Sequence, residues 1–237
     1  MKTKRRALII LVIIFLIAAI AVISACLYSH IREKKEEAEN LRLIKEYYSS
    51  KLALYEAENE EYGEYEIDVA FLGDSLTDAY DLNCYYPSYK VANRGIGGET
   101  THGLEERLKV SLYDLKPRAA VILIGGNNLD TMFENYEDML ISIKENLPET
   151  KIILCSLTAM GGKLANKNQI AAYNNVIIKK LAEKYGFGFV DLYSPLFDER
   201  SGEIFESYTS DGAHLTDEGY RVLTDAITPE IDKILAK

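Results

Sequence analysis

Hydrophobic and polar positions divide the chain into three regimes. From Ala7 to Tyr28 the sequence is almost uninterruptedly apolar, a run of 22 residues with no polar face. As a helix such a run spans about 33 Å, the thickness of a bilayer's hydrocarbon core. From Ile31 to Glu61 the composition changes to Glu, Lys, Ala and Leu without Gly or Pro. Leu41, Ile44, Tyr48 and Tyr55 recur there at helical spacing, which predicts a spacer helix docked loosely on the domain after it. After Gly63 short apolar runs alternate with amphipathic stretches. Strands are predicted at Ile67–Leu72, Lys90–Ala92, Ala119–Ile124, Lys151–Ser156 and Gly188–Asp191, and helices near Thr101–Leu115, Asn135–Asn146, Asn166–Tyr185 and Thr216–Leu235. Strands separated by helices give an α/β fold, a parallel sheet covered on both faces.

The flanks of the first run set a topology. Lys2, Lys4, Arg5 and Arg6 precede it, so the positive-inside rule leaves residues 1–6 in the cytoplasm and carries the bulk of the chain outside. Two readings of residues 7–29 stand: a transmembrane signal anchor, or a lipoprotein signal ending before Cys26, since Ile23, Ser24, Ala25, Cys26 resembles a bacterial lipobox. Both hold residues 30–63 as a helical spacer and 64–237 as the catalytic domain on the outer side of the membrane.

Composition narrows the chemistry. The 237 residues carry a net charge of -10, which speaks against nucleic acid as a partner, because phosphate binding needs a basic face. Cys26, Cys84 and Cys155 lack CxxC spacing, there are three histidines, and no HExxH occurs. No metal or cofactor is expected. Cys155 sits within an apolar run as a small core residue.

Four stretches carry candidate chemistry. The run Val69–Leu72 stops at Gly73, Asp74 and presents Ser75, where open α/β sheets place their ligands. Serine is a weak nucleophile and needs a base, an orienting group and donors for an oxyanion. His30 and His102 lie at the membrane boundary and a helix start, which leaves His214 as the base by elimination; Asp211, three residues upstream, can reach its Nδ1. Thr216 has the character of the following helix's N-cap. Gly95, Ile96, Gly97, Gly98 follow the second strand and fit either a tight turn or a backbone that points N–H groups at an anion. Asn127, in Gly125, Gly126, Asn127, Asn128 after the third strand, fits either a cap or an amide donor.

In this order the four stretches resemble the blocks of the SGNH, or GDSL, serine hydrolases over residues 65–235. Gly73–Leu76 matches the first block, Gly95–Thr100 the second, Gly125–Asn127 the third and Asp211–His214 the fifth. Asn128 departs from the Asp of many members, and the double asparagine is similar to the platelet-activating-factor acetylhydrolase branch. The resemblance implies a three-layer flavodoxin-like sandwich with Ser75 as nucleophile, His214 as base and Asp211 as its partner. It also implies an oxyanion hole from the Ser75 and Gly98 N–H groups and the Asn127 side chain.

For the substrate, Tyr80, Tyr85, Tyr86 and Tyr89 lie shortly after the serine, and Tyr80 with Asn128 is expected to line the pocket. No long apolar lid is evident. The expected activity is removal of a short acyl group, acetyl above all, from a small-molecule or glycan ester. A lysophospholipase or other lipid-ester hydrolase is the alternative, and an inactive glycan- or protein-binding surface module is the reading from another class; the presence of all five functional positions weighs against the latter.

Overall fold

The computed structural model describes the backbone of residues 2–235 and the side chains of residues 23–235. The predicted tail at 1–6 and the greater part of the predicted membrane span, 7–22, have side chains outside the described set. Among the described residues no helix is long and apolar enough to cross a membrane. The chain divides into two compact units, Met1–Ser50 and Lys51–Lys237. A single helix, α1 (Lys2–Glu61), supplies the first unit and the opening of the second, so the second unit begins inside the predicted spacer.

Five parallel strands form the sheet of the second unit: β1 (Val69–Gly73), β2 (Val91–Gly95), β3 (Ala119–Leu123), β4 (Lys151–Cys155) and β5 (Gly188–Val190). Their order is β2-β1-β3-β4-β5. Single helical turns α2 (Ser75–Asp78), α3 (Leu82–Tyr85) and α7 (Tyr193–Leu196) lie in the connections. Alternation along each strand feeds two cores. Ala70, Leu72, Ala120, Ile122 and Leu154 face one side, against the helices α5 (Tyr136–Asn146) and α6 (Asn168–Tyr185). Val69, Phe71, Val121, Ile153 and Cys155 face the other, against α8 (Asp217–Leu235). The result is a three-layer α/β/α arrangement. The chain leaves β1 toward β2 on one side and reaches β3 on the other, which opens a crevice at the carboxyl end of β1.

The predicted helix at 101–115 is broken. It runs as α4 (Thr101–Glu106) and then a π turn, Lys109–Tyr113. Arg107 lies at the break with its guanidinium buried: Nε donates to Glu99 Oε2 (2.9 Å), and the other nitrogens donate to Arg94 O (2.9 Å), Ser111 Oγ (2.8 Å) and Gly73 O (3.0 Å). The Ser111 N–H still donates to Arg107 O at 2.9 Å in the α pattern, and the wider turn is set by the Asp114 N–H donating to Lys109 O at 2.9 Å.

The end of α1 docks closely, in contrast to the loose contact predicted for the spacer. Tyr55 is 1% exposed and donates its hydroxyl to Gly95 O at 2.5 Å. Its ring lies 4.7 Å from Arg94 Cζ, a cation–π contact, and the buried Arg94 guanidinium pairs with Glu58 and donates to Asn59 Oδ1 at 3.1 Å. Two features of the sequence concealed this: Glu58 and Asn59 look like solvated helix positions, and Arg94, in fact within β2, reads as part of a glycine-rich turn.

Candidate active site

Gly73 ends β1 where a Cβ would overlap the Thr77 hydroxyl and the Leu123 carbonyl, so the chain turns sharply into α2. Asp74 caps that turn, Oδ1 accepting from the Leu76 N–H at 3.0 Å. This places Ser75 at the mouth of the crevice. Opposite stands the loop before α8. Thr216 caps that helix, accepting from the Gly219 N–H at 3.2 Å, as its position in the sequence predicts. Thr209 and Leu215 pair as an antiparallel bridge, and the Gly161 N–H donates to Gly212 O at 2.8 Å.

The loop thus aims His214 at the serine. Ser75 Oγ lies 3.1 Å from His214 Nε2, and His214 Nδ1 lies 2.7 Å from Asp211 Oδ2. Asp211 Oδ1 accepts the backbone N–H groups of Ala213 (2.9 Å) and His214 (2.8 Å). The hydrogen bond from the imidazole, then these two amides, hold the Asp211 carboxyl down at about 2. Its anion therefore fixes the tautomer with Nδ1–H toward the carboxylate and Nε2 free to accept the serine proton.

A cavity of ≈ 280 Å³ opens beside Ser75, with Asp74, Asn127 and His214 in its wall. Asn127 Nδ2 donates to Glu99 O at 2.9 Å, which engages one of its two N–H bonds and leaves the other for a ligand. Gly98 adopts a φ of +77° with open space around it, a conformation suited to glycine, but it does not line the cavity. Ser75, Asn127 and His214 come together, and Asp211 stands behind the histidine.

Two expected pocket residues lie elsewhere. Tyr80 is buried beneath α8: its hydroxyl sits 2.6 Å from Thr224 Oγ1 and its ring stacks on Tyr220 at 4.7 Å. Its ring is core because the opposite face of β1, through Phe71, needs an aromatic cover. Asn128 turns toward α4, donating to Thr101 Oγ1 at 2.9 Å and accepting from the Thr101 N–H at 3.3 Å. It anchors a helix start.

Other residues occupy the wall. Thr158, Met160, Leu164 and Lys167 lie in the chain after β4 and complete the cavity. No motif marks them, although the carboxyl end of a central parallel strand is where such a segment belongs. Asp74 is a second group whose role no motif signals. Burial raises its carboxyl to about 6, against the opposing pull of the Leu76 N–H and of nearby His214. Among the described residues, no group of three or more His, Cys, Asp or Glu is arranged to hold a metal ion.

Comparison with known proteins settles the family. Residues 71–222 match the model of the GDSL-like lipase/acylhydrolase family. The chain belongs to that family. The GDSL hydrolase is 32% identical over 168 residues to platelet-activating factor acetylhydrolase IB subunit alpha2 of Rattus norvegicus, covering 65% of this chain and 72% of that protein. It is 27% identical over 193 residues to the isoamyl acetate-hydrolyzing esterase 1 homolog of Homo sapiens, covering 68% and 74%. A GDSL-like lipase from Bacteroides thetaiotaomicron superposes with a TM-score of 0.68 at 25% identity, covering 77% of this chain and 97% of that one. The GDSL hydrolase is accordingly a carboxylic ester hydrolase of the platelet-activating-factor-acetylhydrolase-like branch.

Proposed function

We propose that this hydrolase removes a short acyl group, acetyl above all, from a small-molecule or carbohydrate ester, with Ser75 as nucleophile. The observation that carries the reading is the unbroken relay from Ser75 Oγ through His214 to Asp211, at 3.1 and 2.7 Å. His214 Nε2 takes the serine proton as Oγ attacks the ester carbonyl. The imidazolium then protonates the departing alcohol, and water, activated by the same nitrogen, releases the acyl group. The Asn127 amide and the N–H groups of Ser75 and Gly98 are the proposed donors to the tetrahedral oxyanion.

The modest cavity supports a small acyl group. Two relatives whose names specify an acetyl ester, one of platelet-activating factor and one of isoamyl alcohol, point the same way. The apolar run at 7–29 and the basic residues before it support a membrane-held enzyme facing away from the cytoplasm, tethered by a helix or through lipidated Cys26.

The test is a purified protein assayed on p-nitrophenyl esters of graded chain length and on acetylated oligosaccharides. Turnover of acetyl esters, lost together with fluorophosphonate labelling in Ser75→Ala, is expected. Undiminished turnover in Ser75→Ala would sink the assignment of the nucleophile, and a preference for long acyl chains would favour a lipid-ester substrate.

A further inference from the structure

The cavity beside Ser75 holds one charge for which ester chemistry has no use. Lys167 closes the 3-10 turn Gly162–Lys167 and lines the cavity with Ser75, Asn127 and His214. Among the described residues it is the only lysine or arginine in that lining. The chain is acidic overall, and Lys51, Lys90, Lys116 and Lys184 each face a carboxylate. The Lys167 side chain forms no hydrogen bond or ion pair with the described residues.

Its backbone is held in place. The next residue, Asn168, is buried; its Oδ1 accepts from the Met160 N–H at 2.8 Å, and its Nδ2 donates to Met160 O at 2.8 Å and to Gly202 O at 3.0 Å. Lys167 is thereby fixed relative to Met160, which forms part of the same wall, while its exposed ammonium moves on a four-carbon stem at the rim. The two carboxylates close to the reaction centre do not neutralise it. Asp211 is committed to His214 and two amides, and Asp74 is buried under the Leu76 N–H.

We propose that Lys167 is a specificity residue that receives an anionic group, a phosphate or a carboxylate, on the alcohol portion of the ester. The proposal rests on Ser75 as nucleophile and on a short acyl group, because an acetyl group has no position for a charge and the alcohol must then carry it. An ammonium at a wet rim contributes a modest, salt-sensitive preference.

The experiment compares paired esters in the full chain: phenyl acetate against 3-acetoxybenzoate, and an acetylated neutral sugar against its phosphate and its uronic acid. Leaving-group reactivity cancels when the anionic-to-neutral ratio of kcat/KM is compared between proteins. In Lys167→Met that ratio is expected to fall about three- to tenfold, through KM, and further in Lys167→Glu, while Lys167→Arg restores it. Raising the salt to 1 M should shrink the wild-type ratio toward that of Lys167→Met. The sugar phosphate and the uronic acid tell the two anions apart. A ratio unchanged in Lys167→Met overturns the assignment of Lys167 alone. Absence of Ser75-dependent turnover on every ester overturns the nucleophile reading and this one with it.

Discussion

Two side chains next to Ser75, the proposed nucleophile, make opposite use of their surroundings. Asn127 spends one N–H bond on Glu99 O and so presents the other toward the cavity with little freedom to rotate. Asn127→Ala is expected to lower kcat by about 10²–10³-fold, roughly 3 kcal/mol of transition-state stabilisation, with a smaller change in KM; steady-state kinetics on p-nitrophenyl acetate reads it. A loss confined to KM would remove Asn127 from the oxyanion site. Asp74 is an acid whose burial opposes its charge and lifts it from 3.8 to about 6. A carboxyl with a raised folded pKa favours the fold fully below 3.8, and that contribution is lost as pH rises through about 6. The shift corresponds to about 3 kcal/mol. Asp74→Asn keeps an acceptor for the Leu76 N–H and removes the charge. It should match the parent near pH 4 and exceed it in urea midpoint at pH 8, whereas parallel pH profiles for the two proteins would refute the penalty.

At the scale of elements, His214, the proposed base, depends on a loop that is clamped by backbone. Gly212 has a φ of +92°, and a Cβ there would overlap the Gly161 carbonyl, whose own N–H donates to Gly212 O. Gly212→Ala must break that contact and tilt the Asp211–His214 segment. We expect at least a tenfold fall in kcat with the overall fold retained by circular dichroism, since small displacements of catalytic groups cost large factors. An unaltered kcat would show that the loop repacks freely. Elements of this kind were legible where a local pattern sufficed: the five strands lie within a few residues of their predicted positions, because β1, β3, β4 and β5 are short apolar runs ended by a polar or glycine residue. The break at Arg107 was not, because Leu104, Leu108, Leu112 and Leu115 keep a helical rhythm across it. What bends the chain there is a buried cation reaching Glu99 and Gly73, which no window of neighbouring residues contains. Tyr80 failed for the same reason. It reads as a loop aromatic until Thr224 and Tyr220, more than a hundred residues away, cover it.

For the molecule as a whole, the chemistry belongs to the second unit, and the boundary of what that unit needs falls within α1. Tyr55, Glu58 and Asn59 close over Arg94, whose backbone carbonyl in turn accepts from Arg107. Arg107 also holds Glu99, and the Glu99 carbonyl holds Asn127. The end of the helix therefore stands in one continuous polar network with the wall of the cavity beside Ser75. Burying a guanidinium is tolerable only while its partners remain, and removing one partner of a buried pair costs about 3–5 kcal/mol; partial rehydration of Arg94 in a truncated chain would reduce this. Loss of the buried Tyr55 ring adds a penalty of similar size. Total stabilities of about 5–15 kcal/mol leave little margin for both. A chain starting at Lys51 should accordingly unfold cooperatively with the midpoint of the full chain and hydrolyse soluble esters normally. One starting at Tyr62 should melt roughly 10 °C lower or more and lose turnover in parallel. Equal midpoints for the two truncations would show that the docked end of α1 is an ornament of the fold, and the network through Arg94 and Arg107 would then have to be self-supporting.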